Sequence, residues 1–81
     1  MIPLMKSTAS GTVKVSINTL DNGDETIVFR TNETTGQVFV KEHGKKSREI
    51  SFDEAFAWMM KLQAARWGLT TESKEMPAWA L

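Results

Sequence analysis

Apolar and polar residues alternate one by one at the start of the interpretable pattern, with Val13, Val15, Ile17 and Thr19 on one side and Lys14, Ser16 and Asn18 on the other. A period of two marks a strand with one buried face. Asp21-Asn22-Gly23 follows, a run suited to a tight hairpin because asparagine and glycine tolerate left-handed backbone. A second alternation over 25–31 puts Ile27, Phe29 and Thr31 on one face. Loop length then decides which faces coincide. A two-residue loop would part the Val15/Ile17 set from the Ile27/Phe29 set, and a slip of one residue turns every side chain over. A three-residue loop pairs Ile17 with Ile27, Val15 with Phe29 and Val13 with Thr31, gathering the large apolar residues on one face. The three-residue loop is therefore expected.

Glu33-Thr34-Thr35-Gly36 reads as a second hairpin turn, leading into a strand over 37–42. A four-residue loop there sets Thr31 against Val38 and Phe29 against Val40. His43-Gly44 marks another turn, and 47–50 a short fourth strand.

From Ser51 the period becomes helical. Ser51 and Glu54 stand at capping-box spacing, Asp53 and Glu54 lie at the positive end of the helix dipole, and Arg66 lies at the negative end. Gly68 is placed to end the helix in the left-handed conformation. Between them Phe52, Ala55, Phe56, Met59 and Leu62 share a face, with Met60 and Trp67 extending it on one side and Trp58 and Ala65 on the other. The polar strip is narrow, mainly Asp53, Glu54 and Lys61. An ordinary surface helix needs an apolar stripe little over ~100° wide; this one is wider. Most of the arc is expected to be core, with Trp58 or Trp67 left for a second contact surface.

The expected fold is α+β: an antiparallel three- to four-stranded β-meander followed by one amphipathic C-terminal helix packed on one sheet face. It divides into a loose N-terminal arm over 1–11, a single domain over 12–68, and a tail over 69–81. The tail is expected to be irregular through Glu75, with Trp79 either packed on the chain's own sheet or helix end or offered as an anchor to a partner.

Charge and composition narrow the function. Lys plus Arg and Asp plus Glu balance at 10 each, so there is no long-range field to draw in nucleic acid or an anionic membrane. With no cysteine, disulfides and thiolate metal sites are excluded. No signal-peptide core or membrane span is legible, and a cytoplasmic location with no membrane partner is expected. The lone His43 sits in a turn beside Gly44 without an orienting partner, and no nucleophile elbow, phosphate loop or calcium loop is present. No catalytic residue, cofactor or metal is expected, and the chain is not expected to be an enzyme.

Two functional readings remain. The first is a small protein–protein interaction module, an inhibitor or adaptor of the size that phage and other mobile-element genomes encode. An 81-residue chain without a covalent staple gains most from association, so an isologous homodimer is expected. Trp58 beside Ala65 is its centre, with Trp67, Trp79 and Leu81 as further contributors. The alternative is single-stranded nucleic acid on the outer sheet face. Under the register above that face carries Lys14, Arg30, Phe39 and Lys41, continued by Lys46 and Arg48: bases around one stacking aromatic.

Overall fold

The computed structural model describes residues 11–80. Five strands make one antiparallel sheet: β1 (Thr12–Asp21), β2 (Thr26–Asn32), β3 (Val38–Glu42), β4 (Arg48–Ile50) and β5 (Gly68–Pro77), in the spatial order β4-β3-β2-β1-β5. One helix, α1 (Phe52–Ala64), connects β4 to β5, and a short 3-10 turn (Ala78–Ala80) follows β5. The class is α+β. Apart from Gly11, the arm expected over 1–11 lies outside the described residues.

The second and third strands pair as their turn dictates, with Thr31 opposite Val38 and Phe29 opposite Val40. The first hairpin differs from expectation. Leu20 pairs with Ile27 and Ile17 with Arg30, because Asp21 and Thr26 still pair and the loop is the longer 22–25. Side chains close it. The Asn22 Oδ1 accepts from the backbone N–H of Asp24 (2.8 Å) and Glu25 (2.7 Å), while Asp21 Oδ1 accepts from the N–H of Gly23 (3.1 Å). Gly23 takes φ 97°, a conformation a Cβ would disfavour. Relative to the three-residue loop the pairing shifts by an odd number of residues, so β1 presents its other face to the helix. Leu20, Asn18 and Ser16 point toward the helix; Val13, Val15, Ile17 and Thr19 point away.

The segment expected to be an irregular tail is a strand. β5 pairs with β1 along its whole length, from Gly68 opposite Asp21 to Pro77 opposite Thr12. It is an edge strand, exposed from Gly68 through Glu75, and therefore shows no apolar alternation. Its threonines favour extended backbone, and Glu72, Lys74 and Glu75 suit an edge that must not recruit other strands. Trp79 is 84% exposed and is not packed on the sheet or on the end of the helix.

Helix α1 begins as its sequence indicates: Ser51 is the N-cap, its hydroxyl accepting from Glu54 N–H at 3.0 Å. It ends earlier than Gly68. Ala65 is the C-cap and Arg66 takes φ 74°. Arg66 N–H donates to Gln63 O and Trp67 N–H to Leu62 O, both at 3.0 Å, the paired bonds of a Schellman ending with arginine where glycine is usual. A Cβ in that conformation is strained by roughly 1 kcal/mol or more. Arg66→Gly is therefore expected to raise the unfolding free energy by on the order of 1 kcal/mol, as measured by urea denaturation.

The core lies between α1 and strands β1 to β4. Leu20, Ile27, Phe29, Val38, Val40, Ile50 and Ala55 are buried, with Trp58, Met59, Leu62 and Trp67 partly buried against them. Ala55, Trp58, Met59 and Leu62 recur at helical spacing and form the side of α1 that meets the sheet.

Candidate functional site

The position of each interface candidate follows from that packing. Trp58 is half-buried, edge-on to Phe29 with ring centroids 5.3 Å apart and planes at 88°. Its outer surface lies under Arg48 of β4, the guanidinium 5.7 Å from the ring centroid. Arg48 is itself tied to Glu42 at 3.2 Å. Trp67 is partly buried at the edge of the same cluster. Ala65 is exposed at the helix C-cap. Trp79 projects from the 3-10 turn beyond β5, and Leu81 lies outside the described residues.

The apolar surplus of the helix sits on a different stripe. Phe52, Phe56 and Met60 are 60%, 54% and 55% exposed, at i, i+4 and i+8, about 110° around the helix from the core-facing side. The rings of Phe52 and Phe56 stack with centroids 6.4 Å apart. Trp58 and Arg48 mark the flank toward β4; β1 and β5 lie at the other side of the sheet. There the helix-side surface of the sheet is polar and internally satisfied. Thr71 Oγ1 donates to Asn18 Oδ1 at 2.8 Å, and the hydroxyls of Ser16 and Ser73 donate to Glu33 Oε2 at 2.7 and 3.2 Å. Leu69, 44% exposed, lies on the same side of the sheet, opposite Leu20.

The second surface is the face of the sheet away from α1. The register sorts the basic set expected there into two groups. Arg30, Lys41 and Phe39 do lie on it, Phe39 directly across from Arg30 and Lys41 across from Val28. Lys14 and Arg48 fall on the helix side, Lys14 opposite Glu75 and Arg48 opposite Val40. Lys46 is exposed in the loop between β3 and β4. β5 brings two contributors that were not expected, Lys74 and Met76, and the shifted β1 register brings another, Ile17. A trough of about 410 Å³ runs across it, lined by Ile17, Val28, Arg30, Lys41, Ser47, Lys74 and Met76. The signal for Lys74 and Met76 lay in the threonine-rich run over 70–71, readable as extended backbone.

Among the described residues no three His, Asp or Glu side chains converge as metal ligands, and no helix is long and apolar enough to cross a membrane. Comparison with protein-family models, curated proteins and solved structures found no match to this chain.

Proposed function

We propose that this chain is a small, cytoplasmic, non-enzymatic protein-binding module whose first partner is a second copy of itself. Its plan is an antiparallel meander closed by one helix on one sheet face, with the outlying flank of that helix kept for contact. The observation that carries the reading is the Phe52–Phe56–Met60 stripe. Three large side chains more than half exposed leave roughly 300 Å² of contiguous apolar surface, the size at which such patches are often functional. The stripe suits self-association because it is complementary to its own reverse. Two helices crossing antiparallel at Phe56 set that ring against its copy and set Phe52 against Met60 of the second chain, a sulfur–aromatic contact. One repeated patch then covers itself, as a two-fold axis requires. Two such stripes bury less than the ~1,200 Å² of a standard interface, so the dimer is expected to be concentration-dependent.

Phe56→Asp is expected to abolish self-association in sedimentation analysis while leaving the thermal unfolding of dilute protein unchanged. A wild-type protein that sediments as a monomer at high micromolar concentration rules the dimer out.

A second reading has one observation in its favour: Arg30, Phe39, Lys41 and Lys74 share the outer sheet face. Single-stranded nucleic acid bound there would dissociate steeply with added salt, because neutralised phosphates release counterions. A salt titration with labelled oligothymidylate tests it, and absence of binding at low salt ends it.

A further inference from the structure

The sheet face away from α1 departs from what the solvent side of a sheet normally carries. Antiparallel sheets with one covered face usually present polar residues to water on the other. Here the strongest apolar alternation in the chain, Val13–Val15–Ile17, points to the side away from α1, joined by Val28 across the β1–β2 pair and by Met76 from β5. Of these, Val15 is fully buried, while Ile17, Val28 and Met76 are half-buried and line the trough.

The polar residues of the trough are not evenly spread. Arg30 on β2, Lys41 on β3 and Ser47, one step beyond the Val40–Arg48 pair, gather at one end. The Arg30 guanidinium is held in place: Nη2 donates to Ser47 Oγ at 3.1 Å and Nη1 to the Ala80 carbonyl at 3.5 Å. Both acceptors are uncharged, so among the described residues the positive charge is oriented without being neutralised. Lys41 donates to the Glu42 carbonyl at 3.3 Å, which leaves its other N–H groups available. Among the described residues the ion pairs join Glu42 to Lys45 and Arg48; none includes Arg30, Lys41 or Lys74. Glu72, opposite Ile17, and Glu49, opposite Phe39, lie on the same face but do not line the trough.

A cationic end joined to an aliphatic floor, without aromatic lining, matches one kind of ligand. We propose that the outer sheet face binds a small amphiphilic anion. Its phosphate or carboxylate head sits on Arg30, Lys41 and Ser47, and its alkyl body lies across Ile17 and Val28 toward Met76. Lys74 borders the apolar end, where its methylene stem extends the floor while its ammonium stays in water. The trough volume of about 410 Å³ is that of a site for a ligand of this size. The site lies on the opposite side of the sheet from the phenylalanine stripe and does not depend on the dimer.

The test uses the full chain and decyl phosphate below its micelle concentration, followed by calorimetry and by amide chemical shifts. Expected is saturable binding with shifts at Ile17, Val28, Arg30 and Lys41. Inorganic phosphate and decanol, each carrying one half of the probe, should bind at least ~10-fold more weakly, since each forfeits one class of contact. Lys41→Gln, at an exposed position, should weaken decyl phosphate ~10-fold with the fold intact by circular dichroism, and Ile17→Ser should weaken it without altering the head-group shifts. No saturable binding, shifts confined to the Phe52–Phe56–Met60 flank, or equal affinity for inorganic phosphate overturns the proposal. So does binding of oligothymidylate in place of decyl phosphate, which would hand this face to nucleic acid.

Discussion

Trp58→Ala is expected to lower the unfolding free energy by about 3 kcal/mol, and by the same amount relative to wild type at every protein concentration. The ring is only half-buried, which places it at the low end for loss of a large aromatic. What it touches is nevertheless the centre of the fold, since it meets Phe29, fully buried in the middle of β2, edge to face at 5.3 Å. Phe29→Ala should cost about 4 kcal/mol, because the cavity opens against well-packed neighbours on both sides. The two losses should not add. An edge-to-face pair contributes about 1 kcal/mol beyond its buried area, and that portion is lost only once in the double variant. Urea unfolding of the four proteins at two concentrations measures both effects. A Trp58→Ala loss that grows with dilution would return this side chain to an intermolecular contact.

The Trp58 geometry also explains why the helix was legible as an element but not as a surface. Its start at Ser51 rests on a local hydroxyl-to-amide bond, and capping-box spacing encodes that directly. Which of its apolar residues meet the sheet depends on how the helix crosses it. A thirteen-residue helix over one small sheet can bury a single side, and the arc from Phe52 round to Ala65 is wider than that side. Ala55 is buried, and Met59 and Leu62 are partly buried against the same cluster. Phe52 and Phe56 have the same character and a neighbouring angular position, so composition could not separate them from it.

The strand character of the tail is hidden in the sequence for a related reason. Alternation is visible only when one face of a strand is buried and the other is wet. β5 is exposed on both faces along most of its length, and the burial that would have revealed it belongs to its partner β1. Its hydrogen bonds hold it in the sheet, and backbone pairing leaves little trace in side-chain pattern. With β5 unplaced, Lys74 and Met76 could not be assigned to the outer face, and the amphiphilic character of that face was hidden. Conversely, Arg30, Phe39 and Lys41 were placed correctly because the β2–β3 turn has a length its sequence states plainly.

The register of β1 is where local pattern and tertiary packing part, and a pair of substitutions reads it out. Leu20→Ala is expected to cost about 3 kcal/mol, whereas Ile17→Ala should cost about 1 kcal/mol. Leu20 is fully buried within the cluster beneath α1, opposite Ile27 on one side and Leu69 on the other. Ile17 is half-buried on the far face, between Arg30 and Glu72. The three-residue hairpin suggested by alternation would reverse that order, with Ile17 in the core against Ile27 and Leu20 at the loop. The longer loop prevails because Asn22 and Asp21 supply side-chain acceptors for three of its backbone N–H groups, at 2.7 to 3.1 Å. Asn22→Ala removes two of those acceptors' bonds at once. It should lower stability by on the order of 1 kcal/mol without exchanging the roles of Leu20 and Ile17, since a reversed register would turn the fully buried Leu20 away from the helix and part it from Ile27. Urea denaturation of the single variants gives the order directly: a larger loss for Ile17→Ala than for Leu20→Ala would mean that β1 faces the other way.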